Sequence, residues 1–136
     1  MDLEAVSLEI QAQLGTITGL RVPPWGAKQP QVPAALVALP TKVDFDETYG
    51  RGKDRYPDLP VVVLVGAAEE RASRKKLAEF AAGSGAKSVK AVLEARTWTS
   101  CDSVRVTSVD FDDTATYVGE PFLAAIFHLD IIGRGA

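Results

Sequence analysis

Residues 59–83, LPVVVLVGAAEERASRKKLAEFAAG, decide the fold class of this chain. The first eight letters form an almost continuous apolar run rich in β-branched valine, which is typical of a strand buried on both faces. From residue 68 the apolar residues recur with a helical period, which predicts a helix over 68–83. A second helix is predicted over 85–96, with Ser84 or Gly85 at its start. A strand that leads into two successive helices does not fit the strict alternation of a doubly wound sheet.

Further strands are predicted on both sides of this helical pair. A short apolar stretch over 34–40 precedes it, and the alternating segments 102–113 and 120–133 follow it. In segment 102–113 the apolar residues change from even to odd positions, which predicts a β-bulge near Thr107 or Ser108. In 120–133 the odd-numbered residues are apolar and the even-numbered ones become polar towards the end, so one face is expected to lie in the core.

A helix is also predicted over 2–14, with Asp2 as its N-cap. The order of elements predicts an α+β domain, in which the N-terminal helix and the helical pair pack on one face of a mostly antiparallel β-sheet. The length of 136 residues fits a single domain over 1–136. The predicted core residues are Val61, Val63, Leu64, Leu77, Phe80, Val92, Leu93 and Phe127.

Composition narrows the classes of function. The net charge of −3 gives the chain no overall basic surface for nucleic acid. Cys101 and His128 are the single cysteine and the single histidine, so no internal disulfide and no Cys/His metal pair is expected, and a reducing compartment is the simplest interpretation. The apolar runs are far shorter than the roughly 20 residues that a bilayer requires.

The stretch GSGAKS, residues 83–88, invites comparison with a phosphate-binding loop. A P-loop needs lysine directly after glycine and a strand before it, because the backbone amides must wrap the phosphate at the start of a helix. Here Ala86 separates Gly85 from Lys87, and a helix precedes the loop. We therefore expect a joint between two helices, and no cofactor.

Two other groups of residues could suggest chemistry. His128 alternates with apolar residues and has no nucleophile beside it in the sequence, which is typical of a structural residue at a sheet edge. Asp110, Asp112 and Asp113 lack the spacing of a calcium loop, so a solvated hairpin is expected. The sequence therefore predicts no catalytic residue and no metal ligand.

Residues 44–58 form the most mixed segment of charged, aromatic and glycine residues, and we predict a long loop there. Two interpretations stay open, a partner-binding loop and a solvated hydrophilic loop. Tyrosine and arginine are enriched in protein interfaces, and Trp25 in the proline-rich segment 23–33 should pack on a neighbouring element or a partner. The candidate partner-binding residues are Trp25, Tyr49, Arg51, Lys53, Arg55 and Tyr56.

An ordered set of segments resembles the tail terminator proteins of long-tailed bacteriophages, most strongly those of phages that infect actinobacteria. The segments are DETYGRGKDRYPDLPVVVLVG, ERASRKKLAEFAAGSGAKSVKAVLEA, DSVRV and LAAIFHLDI, together with RVPPW nearer the N-terminus. The resemblance covers almost the whole chain and is carried by the order of the segments rather than by one specific motif.

The resemblance implies a small α+β fold that assembles as a hexameric ring. Such a ring sits on the major tail tube protein, stops its polymerisation, and presents the surface that the head–tail connector or stopper protein joins. It also implies a structural protein of the virion, made in the host cytoplasm and placed at the tail–neck junction, without catalytic site, cofactor or membrane partner. DNA would pass through the ring without sequence-specific recognition.

Two alternatives remain open. The first is another neck protein of the same particle, such as a head-completion or stopper protein, which would have a similar size and would also assemble as a ring. The second is a small cytoplasmic ligand-binding domain or enzyme, which would be a monomer or dimer with a pocket. The mass of the protein in solution separates the second alternative from the ring.

Overall fold

Three helices and a four-stranded sheet make up the described parts of the chain. The computed structural model describes residues 1–23, 32–45, 52–66, 71–117 and 120–134, with the backbone alone at 113–117 and at 120 and 121. The elements in chain order are α1 (Leu3–Leu14), β1 (Ala34–Val37), β2 (Lys53–Gly66), α2 (Arg71–Ala81), α3 (Val89–Glu94), β3 (Ser103–Tyr117) and β4 (Glu120–Arg134).

The sheet has the order β1-β2-β4-β3, and every neighbouring pair is antiparallel. The α+β class and the antiparallel sheet are therefore confirmed. The strands β2 and β3 run in the same direction on either side of β4, and the helices α2 and α3 form the connection between them. This connection carries the chain across the sheet and leaves the helices on one face, which we call the core face.

The core face is built from alternate residues of each strand. Val61 and Val63 of β2 and Phe127 and Leu129 of β4 are fully or almost fully buried there. The helices add further buried members of the same cluster, which are Val6, Ile10, Leu14, Leu77, Phe80, Val89 and Leu93. The predicted core is confirmed except at two positions: Val92 is only partly buried, and Leu64 is buried outside this cluster.

The ends of the helices follow from local hydrogen bonding. Asp2 caps α1, because its carboxylate accepts from the backbone N–H of Glu4 at 3.0 Å, as predicted. The helix predicted over 85–96 is shorter, since Ser88 rather than Ser84 or Gly85 is the N-cap and its Oγ accepts from the N–H of Ala91 at 3.1 Å. Gly85 has a φ of +105°, so the joint between α2 and α3 turns there.

The predicted bulge in β3 is confirmed. The register against β4 shifts between Val106 and Ser108. Glu94 of α3 accepts a hydrogen bond from the backbone N–H of Val106 at 3.0 Å, which ties the end of α3 to the bulge. Beyond it β3 continues to Tyr117, further than the predicted end at residue 113, and pairs with Glu120.

The prediction of a loop over 44–58 is wrong for residues 53–58, which form the first part of β2. The segment is charged and contains Pro57, but its side chains still alternate between two faces as in a strand. Asp54 and Tyr56, two residues apart, are buried on the same face. Pro57 and Asp58 lie where the register against β4 shifts, a position at which a strand tolerates proline. Residues 46–51 lie outside the described residues.

Candidate interaction surface

The sheet face opposite the helices carries the main polar cluster of the described chain. We call it the open face, because none of the three described helices packs on it. Its residues alternate with those of the core face and are mostly half-buried or exposed. Only at one end of the face, at Ala34, Leu64 and Ala124, are the side chains buried.

His128 stands at the middle of this face, on the central strand β4. Its Nδ1 lies 2.7 Å from an oxygen of Asp58 at the β2 bulge, and its Nε2 lies 2.7 Å from an oxygen of Asp110 on β3. A carboxylate only accepts hydrogen bonds, so the arrangement suits an imidazolium that donates from both ring nitrogens. The expectation that His128 is an edge residue is wrong, since β4 is paired on both sides.

The two carboxylates determine the titration of His128. The hydrogen bond to Asp58, followed by that to Asp110, raises the pKa of the imidazole above 6.5, and partial burial opposes the shift without cancelling it. The charged form is therefore favoured, and the three groups link β2, β4 and β3 across the open face. Asp58 lies 70 positions from His128 in the sequence and Asp110 lies 18 away, so sequence reasoning did not connect them.

A prediction follows for the pH dependence of this cluster. Because the folded pKa is raised, the stabilisation from the cluster is fully present below pH 6.5 and is lost as the pH rises through the folded pKa. His128 is the single histidine, so one imidazole signal in a proton NMR titration reports on it. We expect a midpoint above 6.5, lowered in Asp58→Asn and less so in Asp110→Asn. A midpoint at or below 6.5 in the unmodified protein would contradict the geometry.

An arginine–carboxylate pair lies next to this cluster on the open face. The guanidinium of Arg55 donates from Nε and Nη2 to the two oxygens of Asp130, each at 2.8 Å. Lys53 contacts Asp102 near the same end of β2. Bidentate pairs of this kind fix the register of neighbouring strands as well as adding charge-assisted hydrogen bonds.

The six predicted partner-binding residues fall into two groups. Trp25, Tyr49 and Arg51 lie outside the described residues. Lys53, Arg55 and Tyr56 lie in β2, and the structure does not place them in a loop. The prediction is wrong for Tyr56, whose side chain is 2 % exposed and packs in the core. Its hydroxyl lies 3.4 Å from the carbonyl oxygen of Met1, and its ring is not accessible to a partner.

A separate polar cluster, which is buried and which sequence reasoning missed, joins α1 to the segment before β3. The carboxylate of Glu9 accepts from the backbone N–H groups of Thr99 and Ser100 and from Nε of Arg96, at distances of 2.9 to 3.2 Å. Burial alone would raise the pKa of Glu9, but these hydrogen bonds, with those from the two hydroxyls, outweigh it and lower the pKa to about 2. Arg96 also lies over the ring of Trp98, 5.5 Å from its centroid.

The other residues that could take part in catalysis, phosphate binding or metal binding do not lie close together. Burial raises the pKa of the Cys101 thiol to about 12, which leaves the thiolate inaccessible near neutral pH. Lys87 of the GSGAKS joint pairs with Glu79 at 3.3 Å. Within the residues that the structure describes, no three His, Cys, Asp or Glu side chains come together as a metal site.

Exposed apolar side chains occur at both edges of the sheet. Phe111 on the edge strand β3 is 61 % exposed. Leu39 is 61 % and Phe45 is 73 % exposed, and both belong to the segment that runs along the outer edge of β2. Exposed apolar side chains can take part in contacts between proteins, so the two edges are candidates for assembly.

Comparison with known proteins adds no assignment. No protein-family model matches the chain, and no curated protein matches it. No helix in the described parts of the chain is both long enough and apolar enough to cross a bilayer.

Proposed function

We propose that this chain is a tail terminator of a long-tailed bacteriophage, a structural protein that forms a ring on the end of the tail tube. The observation that carries the proposal is the presence of different exposed apolar side chains at opposite edges of one sheet, Phe111 at one edge and Leu39 and Phe45 at the other. A ring needs two different patches on each subunit, so that each copy contacts the next by the same rotation. The resemblance of the ordered segments supports the same function.

The open face supports the proposal in a second way. It presents both signs of charge at defined positions, with the Arg55–Asp130 pair beside the Asp58–His128–Asp110 cluster. Mixed charges of this kind select a partner by complementarity and set the register of the contact. In the proposed ring, this face meets the major tail tube protein or the head–tail connector. The ring contains no catalytic centre, and DNA passes through it without sequence-specific contacts.

The test is control of tube length. The cognate major tail tube protein is first polymerised, and the chain is then added to the tubes. Fresh tube subunits are added last, and the tube lengths are measured by negative-stain electron microscopy. We expect a ring at one end of each tube and no further elongation from that end. Tubes given an unrelated acidic protein of similar mass serve as the control. Tubes that keep growing at the same rate would contradict termination.

Binding to the head connector or to the tail tube distinguishes a terminator from a stopper or head-completion protein. A stopper or head-completion protein would bind the head connector in the absence of tube and would leave tube growth unchanged. A ligand-binding domain or enzyme would stay a monomer or dimer in sedimentation, with or without tube protein.

A further inference from the structure

The strand β3 forms one edge of the sheet, and none of the described strands pairs with its outer side. A long edge strand presents a row of unpaired backbone N–H and C=O groups, to which a strand of another chain can add. Folded proteins protect such edges with charged side chains, with β-bulges or with a neighbouring helix. The contacts of α3 with β3 give protection of this kind at Val106.

Two side chains of α3 occupy the backbone groups of Val106. Its N–H donates to Oε2 of Glu94 at 3.0 Å, and its carbonyl oxygen lies 3.5 Å from Nζ of Lys90. In an antiparallel pair the N–H and C=O of one residue point to the same side, so both groups of Val106 point away from β4. An added strand would use these same two groups, and the Lys90–Glu94 pair already occupies them.

The Lys90–Glu94 pair is held in place by further contacts. The two residues are four positions apart on α3, and the ammonium of Lys90 donates to both carboxylate oxygens of Glu94, at 2.8 and 2.5 Å. Burial alone would raise the pKa of Glu94, but the hydrogen bonds from Lys90 and from the N–H of Val106 outweigh it and lower the pKa. The carboxylate is therefore charged at neutral pH, the form that accepts the strongest hydrogen bonds.

Without this protection, β3 would fit a second copy of itself. We consider two β3 strands that pair antiparallel about Val109, with the bulge residue left out of the count. This register places Arg105 of each copy opposite Asp112 of the other, and Val106 of each copy opposite Phe111 of the other. Opposite charges and apolar side chains that face each other across two strands stabilise their pairing.

We propose that the Lys90–Glu94 pair is an inhibitory contact that prevents two copies of the chain from pairing through their β3 strands. By occupying the N–H and C=O of Val106, it denies the second copy two of the hydrogen bonds of the symmetric register. Such a pairing uses the same surface of both copies and closes as a dimer. The contact therefore keeps the β3 edge out of this dimer. The inference goes beyond the proposed function and does not rest on it.

Disulfide formation at the symmetric position tests the proposal. Residues directly opposite each other in an antiparallel pair have Cα atoms about 4.5–5.5 Å apart, within the range of a disulfide. Val109→Cys is therefore combined with Lys90→Ala and Glu94→Ala, and the chain is oxidised and separated by gel electrophoresis without reductant. We expect linked dimers to form at least about tenfold faster than in Val109→Cys alone. Cys101 is buried and is common to all the chains compared.

The matched control removes a different lysine–glutamate pair. Lys87 and Glu79 lie 3.3 Å apart, and Glu79→Ala with Lys87→Ala deletes the same two charges from the same helical region. In the Val109→Cys chain this double substitution should leave the rate of linking unchanged. Circular dichroism checks that each variant keeps its fold.

Amide hydrogen exchange gives a second measurement, which needs no substitution. In the unmodified protein the amide of Val106 should exchange at least about tenfold more slowly than an unstructured amide, although no described strand pairs with that side of β3. Glu94→Gln keeps one acceptor oxygen and should retain part of this protection, and Glu94→Ala should remove it.

Three results would overturn the proposal. The first is equal linking in all three Val109→Cys chains, and the second is no linking after the Lys90–Glu94 pair is removed. The third is rapid exchange at Val106 in the unmodified protein, which also decides the question if the variant without the pair does not fold. The measurement of tube length bears on the terminator proposal alone, so the two proposals can fail separately.

Discussion

Phe127→Ala is expected to lower the free energy of unfolding by about 3–5 kcal/mol. Phe127 is the largest fully buried side chain among the described residues, and it lies on the strand that pairs with both β2 and β3. Its removal deletes apolar contacts and leaves a cavity between two paired strands and the helices, which can relax only partly. Urea denaturation followed by circular dichroism measures the change.

Phe111→Ala is the matched control for this substitution. The same side chain is removed from the same sheet, but Phe111 is 61 % exposed, so the change should stay within about 0.5 kcal/mol. Both variants are compared at the same low protein concentration, because the proposed assembly would add to the apparent stability. Equal effects of the two substitutions would mean that the helices do not cover the core face at Phe127.

Glu9→Ala is expected to cost about 3–5 kcal/mol, comparable to breaking a buried ion pair by removing one partner. The substitution leaves the N–H groups of Thr99 and Ser100 and the Arg96 guanidinium without their shared acceptor. Glu9→Gln keeps the shape and one acceptor oxygen, so it should cost less. Glu4→Ala on the exposed side of the same helix is the control, and its cost should stay below about 1 kcal/mol.

The pH dependence gives an independent check on Glu9. Its folded pKa, about 2, lies below the ordinary 4.5, so its stabilisation is present above pH 4.5 and is lost as the pH falls towards 2. One pKa unit corresponds to about 1.4 kcal/mol, so the shift corresponds to roughly 3 kcal/mol. In Glu9→Gln the free energy of unfolding should fall less between pH 4.5 and pH 2 than in the unmodified protein. If it falls by the same amount in both proteins, Glu9 is not the source of the acid dependence.

The features that could be predicted from the sequence are those fixed by neighbours in the chain. The alternation of 120–133 gives the two faces of β4, the change of phase near Thr107 gives the bulge, and Asp2 gives the start of α1. Each of these signals lies within one element. The helical pair is likewise a local pattern, although the start of α3 moved to Ser88 because several residues in the joint can cap a helix.

The features that were missed depend on distant residues. Nothing in the segment 53–58 indicates a strand until Asp130 is placed opposite Arg55 and the core is placed around Tyr56. His128 acquires its role from Asp58 and Asp110, and Glu9 from residues about 90 positions later. Polar side chains that are scattered in sequence give no periodic signal, so only the folded sheet brings them together.

The strand order has a consequence for synthesis of the chain. The strand β4 lies between β2 and β3, yet it follows both of them in the sequence. While a ribosome makes the chain, the run VVVLV of β2 therefore leaves the exit tunnel more than 50 residues before the strand that will cover its inner edge. An apolar β-branched run of this kind, without charge or proline, is prone to aggregate while it is unpaired. The nascent chain thus benefits from being held apart from its copies until β4 arrives, although the proposed function requires that the copies join.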